Sequence, residues 1–249
     1  MNWQLTSAQF MCLWEATDLD RMPYPLQHRS AAATDEAYSV QQQRLDEWRR
    51  TLADPKLLAA VSALRHPQLS VTVFAPSDHD SGVRRRGSVR GPVCVTAEQV
   101  PSHDSRGDIH IRTNTASDTE WLAHHLVRDL PDCPPGRTPS LTAHPDEVHE
   151  RTKRVTVLQN AQSSDGVLLR RIVTRPRTGI GYICIRGARS GLDEPVLGEL
   201  TWLDVAEDGR YLYYRDHSVH LRSAGSRTLR DEVTTRISAG VADASPRRS

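Results

Sequence analysis

The densest run of side chains able to do chemistry in this chain is Asp78, His79, Asp80, Ser81, Gly82, Val83, Arg84, Arg85 and Arg86, with Arg90 close behind. Clustered guanidiniums suit phosphates, and such a patch binds nucleic acid with steep salt dependence. Yet Asp78 and Asp80 stand immediately upstream, and no aromatic residue interleaves to stack on bases. The run therefore reads first as a polar loop that meets a protein partner. A nucleic-acid-binding regulator using Arg84–Arg90 is the alternative.

Other candidates are weaker. His124 and His125 are adjacent on a predicted helix and so diverge, and His217 and His220 fall in a predicted hairpin without a zinc motif. Asp204, Asp208 and Gly209 lack the carboxylate ladder and closing Glu of a calcium loop, so an Asp-Gly turn explains Ala206–Gly209 better. Cys12, Cys94, Cys133 and Cys184 are isolated, which predicts free thiols. No serine elbow, phosphate loop or dinucleotide fingerprint occurs. Gly179-x-Gly181 lacks a third glycine and predicts close backbone approach or a bulge. The expectation is no enzyme, no metal and no cofactor.

The elements that must position the run follow from periodicity. Leu57–Leu64 reads as a short helix, entered through Asp54-Pro55 in cap-then-proline order, stopped at His66-Pro67 and followed by the strand Leu69–Phe74. Val167–Val173, Arg175-Pro176 and the strand Ile180–Ile185 state the same sentence again. This recurrence is the plan of a scaffold that presents surfaces. The first half adds strands Val89–Ala97 and Asp108–Thr113, so Pro76–Ser88 becomes a long polar connection. Thr6 with Gln9, and Ser117 with Glu120, stand at capping-box spacing. Met22–Leu26 reads as a rigid extended segment, because its two prolines fix φ and bias their predecessors. Ala37–Leu52 is a polar helix, and the proline-rich stretch in 131–147 divides the halves. A helix over Glu150–Asn160 opens the second half. Strands Val196–Asp204, Arg210–Arg215 and Val219–Arg222 and a helix carrying Leu229, Val233 and Ile237 complete it.

Size and composition bound these readings. A chain of 249 residues with 37% hydrophobic residues can bury a full core. Net charge is +1, from 32 basic and 31 acidic residues, so no global field favours nucleic acid or an anionic membrane. No apolar run approaches the roughly 20 residues that cross a bilayer, and Met1–Cys12 lacks the pattern of a secretion signal. A cytosolic protein without membrane insertion is expected.

Several segments together resemble the EspG family, secretion-associated proteins of actinobacterial type VII (ESX) systems. They are Leu5–Phe10 with Leu13-Trp14-Glu15, Pro23-Tyr-Pro-Leu26, Leu64-Arg-His-Pro67, Leu130-Pro131 with Pro134-Pro-Gly136, Arg175–Gly181, and Leu200–Asp204 with Asp208–Leu212. Their order holds from about residue 3 to residue 240. The resemblance implies an α/β (α+β) fold: a central, mainly antiparallel sheet flanked by two helical bundles, with a pseudo-twofold internal repeat. It implies halves at 1–140 and 141–240 sharing that sheet, with 241–249 as a flexible tail. It further implies a cytosolic chaperone for PE–PPE-like secreted helical heterodimers, whose hydrophobic tip it covers; a monomer or homodimer is expected. The binding surface so implied comprises the Pro76–Ser88 loop, with Asp78 through Arg86, and the second-half helical bundle. This loop has its own charge order, and Ser223-Ala-Gly-Ser226 stands where a proline is expected after the last strand.

Overall fold

The computed structural model describes residues 1–15, 21–30, 32–52, 54–76, 82–101, 107–149, 164–189 and 194–244. Among them are ten strands, which hydrogen-bond as one sheet in the order β1-β5-β4-β3-β2-β7-β8-β9-β10-β6, and seven helices. The fold is α+β. Contacts divide the chain into two units. The first comprises Met1–Arg128, Cys184–Gly198 and the chain from Val233; the second comprises Asp129–Ile183 and Glu199–Glu232.

The first unit carries β1 (Asn2–Thr6), α1 (Ser7–Glu15), α2 (Asp35–Thr51), α3 (Pro55–Arg65), β2 (Leu69–Ala75), β3 (Val83–Arg90), β4 (Val93–Val100), β5 (Asp108–Asn114) and α4 (Thr119–Val127). Its strand pairs β1–β5, β5–β4, β4–β3 and β3–β2 are all antiparallel. The apolar positions of α1 and α3 bury Phe10, Leu13, Trp14, Leu57, Val61 and Leu64 against Val95, Ala97, Ile109 and Ile111 of the sheet. Helix starts follow local chemistry. The Thr6 hydroxyl accepts from the Gln9 amide at 3.1 Å, and the Gln9 side chain accepts from the Thr6 amide at 2.9 Å, a complete capping box. Asp54 accepts from the amides of Lys56 and Leu57, both at 3.0 Å, with Pro55 in the first turn of α3.

The second unit carries β6 (Leu141–Ala143), α5 (Pro145–His149), α6 (Asp165–Val173), most of β7 (Arg177–Gly187) and of β8 (Val196–Val205), then β9 (Gly209–Arg215) and β10 (Val219–Ser223). Pairs β8–β9, β9–β10 and β10–β6 are antiparallel. Leu169 and Ile172 of α6 join Leu203, Val205, Tyr211, Val219 and Leu221 in its core. The last helix, α7 (Ser226–Ala244), buries Leu229, Val233 and Ile237, as their spacing predicts. It continues to Ala244, past the tail boundary expected at 241.

Several sequence expectations need correction. Val89–Ala97 is not one strand: Gly91, at φ +54°, turns the chain, so β3 ends at Arg90 and β4 begins at Val93. β3 also starts at Val83, so Arg84, Arg85 and Arg86 lie in a paired strand instead of a solvated loop. Met22–Leu26 is a turn, with the Leu26 amide donating to Pro23 O at 3.0 Å across a cis Tyr24–Pro25 peptide. The cap of α4 is Asp118, which accepts from the Trp121 amide at 2.7 Å, one residue beyond the Ser117–Glu120 pair. β1 and β6 were not anticipated from their short sequences. The expected helix at Glu150–Asn160 lies outside the described residues.

Candidate protein-docking surface

The β2–β3 hairpin fixes where the predicted binding residues stand. Its register pairs Leu69 with Val89 and ends with Phe74 opposite Arg84 and Ala75 opposite Val83. Gly82 and Val83 therefore sit at the hairpin end, half-buried. Asp78, His79, Asp80 and Ser81 lie outside the described residues.

Period-two alternation sends the three consecutive arginines to opposite faces. Arg85, on the same face as Gly87, is buried, and its guanidinium donates to Leu126 O at 3.1 Å and to Arg128 O. These carbonyls close the C-terminal end of α4, where a cation is favoured. Arg85 also pairs with Glu98 at 2.6 Å, and the same carboxylate receives Arg112 at 3.2 Å and Arg128 at 2.9 Å. Burial alone would raise the Glu98 pKa; the Arg85 charge and the Arg128 contacts outweigh it and hold the carboxyl below its usual range. Arg90 donates to Ser62 O at 3.2 Å and Ser62 Oγ at 2.8 Å in the last turns of α3.

Arg84 and Arg86 point to the other face and hold the Pro23–Leu26 turn. Arg84 Nη1 donates to Pro25 O at 3.1 Å, and Arg86 Nη1 donates to Tyr24 O at 3.3 Å. The Arg84 guanidinium also lies 5.0 Å from the Phe74 ring centre, and the Tyr24 ring is 5.7 Å from that of Phe74. Hence the arginine run has mainly interior work, on helix ends and on one turn. Nucleic-acid recognition through Arg84–Arg90 draws no support from guanidiniums already engaged on the chain's own carbonyls.

In the second unit, the helical part of the expected surface is α5 with α6. Arg170 Nη2 donates to Glu147 O at 2.6 Å and joins the two helices. Gly166 of α6 lies against the Glu147 side chain. Leu169 and Ile172 face the core while Val167 is exposed, so α6 presents one apolar side chain outward.

The motif residues of this unit are architectural. Arg210 and Asp204, both buried, form a two-pronged ion pair at 2.6 and 2.8 Å, and Arg210 also donates to Pro131 O at 2.8 Å. Pro134-Pro-Gly136 lies beside β9, with backbone bonds from Arg210 N to Pro134 O and from Gly136 N to Arg210 O. Asp208 accepts from Arg137 N at 2.8 Å and Tyr211 OH at 3.0 Å and pairs with Arg175. These bonds outweigh the burial that would raise its pKa and hold it low. At Gly181 the Trp202 indole lies where a Cβ would come within 2.0 Å of ring carbons. The Gly179-x-Gly181 expectation of close approach is thus met by a tryptophan.

The arrangements that resemble catalysis fit structural roles. His220 Nε2 lies 3.0 Å from Asp216 Oδ1 and its Nδ1 3.1 Å from Thr142 Oγ1, while its ring stacks on Tyr214. The imidazole ties the three-residue edge strand β6 to β10, and Asp216 is exposed. A cavity of about 370 Å³ beside α1 and α2 is lined by Cys12 and His28. Burial raises the Cys12 pKa there and lowers that of His28, the opposite of an activated thiolate with its cationic partner. Burial also pushes Cys94 up to about 11. Among the described residues no group of three or more His, Cys, Asp or Glu side chains is placed to hold a metal ion, and no helix is long and apolar enough to cross a membrane.

No curated protein matches this sequence. Among solved structures, the Mycobacterium tuberculosis type VII secretion system chaperone EspG5, determined in complex with a PE25–PPE41 dimer, has a similar fold. The TM-score is 0.65 at 16% identity, covering 100% of this chain and 98% of that one. The EspG family model matches residues 6–235, nearly the whole of the sequence, and the chain belongs to the EspG family.

Proposed function

We propose that this protein is a cytosolic, non-enzymatic chaperone of a type VII secretion system that binds a PE–PPE-like helical heterodimer and keeps it soluble for export. The observation that carries this reading is the full-length likeness to EspG5, a chaperone solved with its PE25–PPE41 dimer, together with the family match. Exposed apolar surface at a helical tip drives aggregation, and each Å² removed from water contributes roughly 25 cal/mol. A stiff sheet with a selective hairpin end suits that task.

In this reading the client meets the end of the β2–β3 hairpin, through Asp78, His79, Asp80, Ser81, Gly82, Val83, Arg84 and Arg86. Arg85 serves the same site from behind, because its guanidinium fastens β3 to the end of α4. Charged residues of the connection set client choice and encounter rate more than affinity. The test is co-expression with PE–PPE heterodimers, scoring soluble client that co-purifies. Replacing residues 76–82 with a connection of different charge order is expected to change which heterodimer is retained, with unchanged thermal unfolding. Retention indifferent to the exchange would remove the hairpin end from the site. Failure to retain any heterodimer, with each soluble alone, would overturn the chaperone reading.

A further inference from the structure

The Pro23–Leu26 turn has a feature that the hairpin reading does not use. Pro23, Pro25 and Leu26 are buried, whereas Tyr24 is 56% exposed. Two prolines fix the backbone on either side of the ring. Arg84 and Arg86 clamp the carbonyls of Pro25 and Tyr24 from β3. Phe74 backs the ring at 5.7 Å, with Arg84 on the face of Phe74 at 5.0 Å. The structure therefore builds a turn that sinks three of its four side chains and displays the fourth, an aromatic, beside Phe74. Tyrosine next to arginine on a stiff support is the usual make-up of an interface hot spot, since little rotamer entropy remains to be lost on binding.

Charge defines the partner. Residues 21–30 and 69–92 include Arg21, Arg29, Arg84, Arg85, Arg86 and Arg90 against two carboxylates, Asp78 and Asp80. Glu98, opposite Arg85 in the β3–β4 pair, is taken by Arg85, Arg112 and Arg128. The balance of these segments is positive, six arginines to two aspartates, so they complement an apolar segment flanked by carboxylates or by the free carbonyls at the C-terminal end of a helix.

We propose that Tyr24 is an anchor of the client-docking surface, taking an apolar, acid-flanked helical end of the client against Phe74 while Arg84 faces its negative rim. This rests on the chaperone reading and extends the site from the hairpin connection to a second, rigid contact.

The experiment compares Tyr24→Ala, Tyr24→Phe and Tyr24→Asp in the full chain. The probe is the PE–PPE heterodimer retained by the wild-type chain on co-expression, and the readouts are its Kd and the Tm of the chaperone alone. Because Tyr24 is exposed and the prolines hold the turn, all three variants should keep Tm within about 2 °C. Tyr24→Ala and Tyr24→Asp should weaken binding on the order of tenfold or more, with Tyr24→Phe close to wild type. Wild-type affinity in Tyr24→Ala, while exchange of residues 76–82 still changes client retention, would overturn this inference and leave the chaperone reading standing. A lowered Tm in Tyr24→Ala that tracks the lost affinity would make Tyr24 a structural residue and would also overturn it. Retention of no heterodimer by the wild type would overturn both readings.

Discussion

At the residue scale, the arginine run shows how type and spacing mislead when strand direction is unknown. Arg84, Arg85 and Arg86 read in sequence as one positive cluster, but a strand turns neighbours to opposite faces. Arg85 ends at helix α4 and Glu98, and Arg84 and Arg86 end at the Tyr24–Pro25 turn. The half-buried carboxylate of Glu98 gives a pH test. Glu98 is held below its usual range in the folded state, so its contribution is fully present above the unfolded pKa of about 4.3 and is lost as pH falls through the folded value. Glu98→Gln should lower stability at pH 7 by about 3 kcal/mol, because the buried Arg85 loses its counter-charge. It should also reduce the loss between pH 6 and pH 3. Urea unfolding at several pH values measures both. An unchanged acid limb in the variant would mean that Glu98 does not titrate as described.

At the element scale, much was legible. The Asp54-Pro55 start of α3, the Thr6–Gln9 capping box, the Asp208-Gly209 turn and the spacing in α7 are local signals, and local chemistry decided them. What was not legible depends on distant partners. β1 exists because β5 pairs with it, and β6 because three residues pair with β10. Val89–Ala97 reads as one strand because valines flank a two-residue turn. The Gly181–Trp202 contact joins both kinds of signal: the glycine was visible, but its large partner on another strand was not. Gly181→Ala should cost about 1–3 kcal/mol, since the Cβ collides with the middle of a packed indole. Gly181→Ala with Trp202→Leu should recover part of it. Chemical denaturation of both variants checks the pair, and independent, additive losses would contradict the contact. The order helix, four strands, helix occurs twice, as α3-β2-β3-β4-β5-α4 and α6-β7-β8-β9-β10-α7. On this recurrence we propose that 1–140 and 141–240 are related halves.

At the scale of the whole molecule, the family and its fold are those of a protein that works by holding another. The family was legible in the sequence because its motifs are largely the architectural contacts: the Asp204–Arg210 ion pair, the Pro134–Gly136 segment against Tyr211, and Trp202 on Gly181. Client identity was not legible, because in the proposed reading it is set by a connection whose charge order the fold does not constrain. The chaperone account is tested most directly by light scattering during size-exclusion chromatography of the purified chain mixed with a PE–PPE heterodimer that it keeps soluble on co-expression. The account predicts a discrete species whose mass is the sum of the chain and the heterodimer, with no remaining heterodimer aggregate. Separate elution of the chain and the heterodimer at micromolar concentration would contradict it.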